Sequence, residues 1–269
     1  MTVPTLFQLA RRVLDTAEPR AKAAAAREAA RLWRAGMLPA GAAPGAPARP
    51  ARPARPELVQ PGKVPRRRLN TRTGRAALLH AIAHIEFNAM DLAFDMLVRF
   101  GTDPLIPATQ RDEFLSDWTG IGDDEARHFV MIADRLEELD SHYGELPAHN
   151  GLWDAAMATS GSLAARLAVA PLVLEARGLD VTPGMIDRLD SAGDRESAEI
   201  LRVIYAEEIG HVAAGVRWFR TVCTRLGEDP ETHFQALVSR YYRGNLKPPF
   251  NSGARERAGF PADFYLPLA

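Results

Sequence analysis

Two short segments carry residues fit for chemistry. DDEARH at Asp123 to His128 and AEEIGH at Ala206 to His211 each set an acidic pair ahead of a histidine, which follows the second acid by three residues. On an α-helix that spacing is one turn. Glu125 with His128, and Glu208 with His211, would each aim a carboxylate and an imidazole at one spot.

Helical stepping puts both pairs in apolar rows. Glu125 and His128 align with Phe114, Trp118, Ile121, Ile132, Leu136 and Leu139; Glu208 and His211 align with Leu201, Ile204, Gly215, Trp218 and Val222. Two further rows hold one acid each. Glu86 sits among Leu79, Ile82, Ala83, Met90, Ala93 and Leu97, and Glu175 follows Gly161, Ala164, Ala168, Pro171 and Leu172. Four carboxylates and two imidazoles turned into one core are untenable as bare charges, because an unpaired buried carboxylate costs several kcal/mol. Two divalent cations would cancel the four negative charges, and oxygen with imidazole ligands suits iron first and manganese second. The alternative is that the acids meet arginines, with Arg127, Arg166, Arg177 and Arg202 as partners.

Four long helices must position these groups, at about 74–100, 110–141, 151–178 and 192–226, with breakers at Gly101 to Pro107, Tyr143 to Pro147 and Gly178 to Gly184. The expected fold is all-α: an antiparallel four-helix bundle over 74–226. A short extra turn is expected at Thr182 to Leu189, capped by Thr182 with Pro183 in first helical position. Residues 1–37 read as an N-terminal helical arm of two helices parted at Pro19. Residues 38–73 read as an extended or disordered Pro/Arg-rich linker, whose basic residues (Arg49, Arg52, Arg55, Lys63, Arg66, Arg67, Arg68, Arg72, Arg75) are opposed only by Glu57. We favour a linker wrapping its own acidic domain over an RNA-binding patch. The tail, 227–269, carries one helix near Pro230 to Tyr242, then Phe250, Phe260, Phe264 and Tyr265, which are expected to pack on the bundle.

Residues 74–226 resemble the ferritin-like di-iron carboxylate superfamily, in which two helices give one Glu each and two give Glu-x-x-His. DEARH at Asp124 to His128 is similar to the D-E-x-R-H motif of its oxygenase branch. HAIAHIEFNAMDLA, DDEARHF, GELPAHNGLWDAA, LEARGLDVTPGMI and YAEEIGHVAAG look like a family of unknown function inside that superfamily, domain of unknown function 455, over nearly the whole chain. The resemblance implies a dinuclear site of Glu86, Glu125, His128, Glu175, Glu208 and His211. It also implies that Asp124 orients His211 and Glu207 orients His128, each through the imidazole nitrogen turned away from the metal. Glu207 departs from that branch's usual Asp by one methylene. Arg127 is placed to steady both acids.

Several residues near the motifs have plainer readings. His80 and His84, at i,i+4, have no carboxylate on a matching apolar face and read as packing or interface histidines. Tyr205, one turn before Glu208, is a candidate catalytic donor of a hydrogen bond or electron, although an ordinary core tyrosine is favoured. Gly120, Gly122 and Pro171 near the ligands either open a route for dioxygen or substrate or simply allow close helix approach. Cys223, the sole cysteine, can form no intrachain disulfide and reads as a buried apolar residue.

The net charge of −1 gives no overall pull toward nucleic acid or anionic lipid. With no stretch near the roughly 20 apolar residues of a membrane span, a cytoplasmic protein without membrane contact is expected. The expected function is a dioxygen- or peroxide-activating oxidoreductase with an electron donor, acting on a small molecule or an RNA nucleoside. Homodimer formation is a further expectation. The competing functions are metal handling (ferroxidase, storage or peroxide scavenging) and a non-catalytic bundle with a vestigial site.

Overall fold

Local signals start and stop the helices much where the sequence suggests. In a computed structural model describing residues 3–63, 69–243 and 245–269, Thr5 opens α1 (Leu6–Asp15) with a capping box closed by Gln8, and Glu18 caps α2 (Pro19–Arg34), which has Pro19 in first position. Thr71 accepts from the Gly74 N–H to open α3 (Arg72–Phe100); α4 spans Arg111–Glu138. Next come α5 (Gly151–Ala158), α6 (Leu163–Val169), a π-helical segment (Ala170–Glu175) and α7 (Ala176–Ser191). Asp194 caps α8 (Arg195–Leu226), which ends at the left-handed Gly227 (φ 73°). The tail holds α9 (Pro230–Tyr241), α10 (Ser252–Arg257) and α11 (Ala262–Tyr265). The fold is all-helical: among the described residues there is no β-strand, and no helix is long and apolar enough to cross a membrane.

Side-chain pairings fix the helix directions. Phe87 meets Phe129 and Gly122 meets Phe94, so α3 and α4 run antiparallel. Phe114 stacks edge-on against Trp218 while Arg135 reaches Asp194, so α4 and α8 are antiparallel too. Gly215 abuts Pro171 and Arg202 pairs with Asp190, which sets the π segment and α7 antiparallel to α8.

The third long helix departs from expectation. Instead of one helix over 151–178 there are α5, a break near Gly161, α6, the π segment and α7. The separate turn expected at 182–189 is continuous with α7, which carries Pro183 inside it. Pro183 leaves the Leu179 carbonyl without its helical donor. Asn251 of the tail fills the gap, donating from Nδ2 to that oxygen at 3.1 Å.

The arm and linker are ordered on the bundle. Leu6, Phe7, Ala10, Val13 and Leu14 are buried in the same core as α3 and α4. Backbone bonds such as Ala51 N–H to Leu14 O (2.7 Å) tie the linker down. Arg99 donates to Pro47 O, Trp153 to Ala48 O, and Arg52 to Asn88 (2.7 Å) beside Asp91. Arg66, Arg67 and Arg68 lie outside the described residues. Beneath this strap, Lys22 pairs with Asp91 and Arg166 with Asp95 (2.6 Å), all four fully buried. The α3 row His80, His84, Asn88, Asp91, Asp95 is therefore a second inward-facing polar stripe. The bundle rows are accordingly not the sole carriers of buried charge.

In the tail, Phe260, Phe264 and Tyr265 are buried and Phe250 packs on Tyr265. Arg255 is inserted among them, 4.4 Å from the Tyr265 ring centre, and forks onto Asp180 at 2.9 and 2.7 Å.

Candidate metal centre

Glu86 lies at mid-length of α3, where the helix is buried almost all round, and its carboxylate meets the α4 pair directly. His128 Nδ1 is 3.2 Å from Glu86 Oε2 and 3.7 Å from Glu125 Oε2. The α8 pair closes from the other side, with His211 Nδ1 3.2 Å from Glu125 Oε1 and 3.5 Å from Glu208 Oε1. Glu125 thus offers one oxygen to each imidazole. One donor atom from each of Glu86, Glu125, His128 and Glu208 falls within 4.8 Å of all the others.

Glu175 is held differently, at the end of the π segment. There the Ala176 N–H reaches back five residues to Pro171 O, widening the turn. Such a turn re-aims everything after it relative to a regular α-helix, and π-turns recur at functional sites. Glu175 stands outside the four-residue group but lines the same cavity of about 270 Å³ as Glu86, Glu125 and Glu208. Pro171 is seated by Gly215, where a Cβ would lie 2.5 Å from the proline Cβ. Gly122 has a packing role as well, since a Cβ there would fall 2.6 Å from the Phe94 ring. None of Gly120, Gly122 and Pro171 lines the cavity itself, although Pro171 stands between Ala170 and Val173, which do.

Behind each imidazole stands an acid. His211 Nε2 is 3.3 Å from Asp124 Oδ2, and His128 Nε2 is 2.6 Å from Glu207 Oε2. Arg127 donates to both acids, at 3.0 Å to Asp124 and 2.6 Å to Glu207. An acid accepting from Nε2–H leaves Nδ1 as a lone-pair donor facing the carboxylates. Asp123, the other acid of DDEARH, points outward to Arg27 and Arg34 of α2.

The electrostatics describe a site short of positive charge. Burial, then the Glu125 charge, pushes the Glu86 carboxyl well above its ordinary range; burial, then Glu208, lifts Glu175 to about 8. Burial opposes the charging of His128, yet the neighbouring carboxylates of Glu125 and Glu86 raise it to about 11. His211 is likewise raised against burial, chiefly by Glu208. Burial also works against the charged form of Glu125, but His128 and His211 hold it below the usual range. In effect the imidazoles take up protons where cations are wanted.

The donor atoms fit a metal. Both oxygens of Glu125, Oε2 of Glu175, Oε2 of Glu208 and Nδ1 of His211 are buried without a hydrogen-bond partner, a costly state unless an ion completes it. The arginine alternative finds no support among the described residues. Arg166 goes to Asp95, Arg177 to Asp180 and the tail carbonyls of Lys247 and Pro249, Arg202 to Asp190 and Glu199, and Arg127 to the outer acids. A cluster of Glu and His side chains that could bind metal is thus present.

Tyr205 is not brought to the cluster. Its hydroxyl accepts from Asn251 Nδ2 at 2.9 Å, and Arg257 lies 3.5 Å from it. His80 and His84 form an aromatic nest with Tyr143: His84 Nδ1 is 2.9 Å from the Tyr143 hydroxyl, and His80 Nε2 accepts from Gly144 N–H at 2.9 Å. Burial, then the nearby Arg52 charge, lowers His84 to about 3, as suits a neutral packing histidine. The buried ion pairs of Asp91 and Asp95 escaped sequence reading, because their partners, Lys22 and Arg166, come from the arm and from α6.

Residues 15–266 match the family described as protein of unknown function (DUF455). A protein of Haemophilus influenzae, described as uncharacterised, is 40% identical over 203 residues, spanning 76% of this chain and 70% of its own length. No solved structure matches the chain. By both the family match and that relative, the chain belongs to the DUF455 family.

Proposed function

We propose that this chain is a ferritin-like dinuclear metal protein, an oxidoreductase that activates dioxygen or peroxide. The observation that carries this reading is the set of buried, unpartnered carboxylate and imidazole atoms facing one another, each imidazole backed by an acid on its far nitrogen. Glu86, Glu125, His128, Glu175, Glu208 and His211 would hold two divalent ions, iron first and manganese second. Such ions, when bound, supply Lewis acidity and one-electron chemistry. The rest falls to the protein. Glu125 spans both imidazoles, while Asp124 and Glu207 fix the tautomers and raise ligand basicity. The apolar walls beside the carboxylates limit water.

Insertion of one oxygen atom into a C–H bond consumes dioxygen, two electrons and two protons and yields an alcohol and water, so an external electron donor belongs to this reading. A substrate-sized apolar cavity opening onto the carboxylates favours an organic substrate over metal handling, which needs no such space. The test is oxygen-electrode measurement on iron-loaded protein with a chemical reductant, and with peroxide in a parallel assay. Consumption above the iron-free control is expected. No consumption of either oxidant would defeat the oxidoreductase reading.

A further inference from the structure

The cavity beside the carboxylates has a composition that selects its ligand. Its walls come from three directions: Ile82, Ile85 and Ala89 of α3, Val173 and Leu174 of the π segment, and Leu201 of α8. Ile85 is 44% exposed, the single large apolar side chain of α3 so exposed among the described residues, and it marks a mouth toward solvent. Polar groups are concentrated at Glu86, Glu125, Glu175 and Glu208. The one cation in the lining, Arg177, is turned toward the tail: its Nη1 donates to Lys247 O at 2.6 Å and Pro249 O at 3.1 Å. Away from the carboxylate cluster, a phosphate or carboxylate on a ligand would therefore find only the Thr182 and Tyr242 residues and an arginine turned to the tail.

We infer that this cavity binds an uncharged, apolar small molecule in preference to nucleotides and other anions, and delivers it to the carboxylate cluster. An apolar cavity near 150 Å³ holds benzene; one of about 270 Å³ has room for a ligand of on the order of a dozen heavy atoms. The inference rests on the dinuclear reading for its consequence, since delivery matters only if the cluster is reactive. It sets aside the RNA nucleoside as occupant of this space, whatever the basic linker touches.

The test pairs two probes of one shape. Trifluoromethylbenzene and 4-(trifluoromethyl)benzoate are titrated against the purified protein and followed by fluorine NMR, with metal content measured on the same samples. The neutral probe is expected to bind at least tenfold more tightly than the anion. Ala89→Phe, which puts a ring into the cavity, and Val181→Trp, at a lining residue of α7, should each weaken the neutral probe at least tenfold and leave metal content unchanged. Equal or tighter binding of the benzoate would overturn the inference. So would parent-like binding by both variants, or displacement of the neutral probe by a short RNA oligonucleotide. Normal metal content without probe binding sinks the cavity assignment alone, whereas probe binding without metal supports the cavity and defeats the dinuclear reading.

Discussion

Gly215→Ala tests whether helix approach positions Glu175. The added Cβ would meet Pro171 Cβ at 2.5 Å and Cγ at 2.7 Å. Carbon atoms rest about 3.5–4.0 Å apart, so one side must give by roughly 1 Å. The proline ring cannot rotate away, and the π segment must move as a body. Overpacking of this kind costs about 1–3 kcal/mol, while replacing a helical Gly by Ala returns about 1 kcal/mol. Net destabilisation should be small, on the order of 0–2 kcal/mol. The effect on the site should be larger. Ligand distances tolerate only about 0.2 Å, so a shift near 1 Å removes Glu175 from a shared ion, and metal affinity should fall by about tenfold or more. Gly210→Ala is the control, because nothing lies within 4 Å of its added Cβ. It should stabilise α8 with metal binding intact. Thermal unfolding and metal titration read both quantities. If Gly215→Ala bound metal like the parent, the idea that this contact seats Glu175 would be wrong.

Other expectations follow from single groups. Glu207→Gln should weaken metal binding by about 10–100-fold, and Glu207→Asp should be intermediate because its carboxylate retreats from the 2.6 Å contact with His128; unchanged affinity in both would remove Glu207 from its orienting role. His84 is held neutral, with its folded pKa lowered to about 3 against about 6.5 unfolded. Its stabilisation is therefore complete above about pH 6.5 and is lost as pH falls, by about 2 kcal/mol at pH 5. Denaturant midpoints at pH 7 and pH 5 should accordingly differ less in His84→Gln than in the parent, and equal differences would contradict this. Asn251→Ala leaves the Leu179 carbonyl without a donor and should cost about 1–3 kcal/mol in urea unfolding. A neutral effect would mean that water replaces the side chain.

The clustering of the buried acids and histidines was readable in sequence because a 3.6-residue period is strict inside long helices. One acid in an apolar row, or an acid and a histidine one turn apart in such a row, can face only the interior. Glu175 shared that pattern for a less direct reason: the widened turn at Pro171 changes the register, and Gly215 on another helix holds it. Nothing local announces either feature. The break near Gly161 and the tolerance of Pro183 depend on neighbours too, since a tail asparagine supplies the missing donor. The burial of Asp91 and Asp95 was not legible because their cover, the arm and the Pro-rich strap, is built from tertiary contacts such as Arg52 to Asn88 and Lys22 to Asp91. Tyr205 lay one turn from Glu208, but sequence distance says nothing of which way the ring turns.

Elemental analysis of natively purified protein beside Glu125→Ala puts the account's core to the most direct trial. Glu125 alone reaches both imidazoles, so the parent should carry about two metal ions per chain and the variant far fewer. Equal metal in the two proteins, or none in the parent, would contradict the assignment.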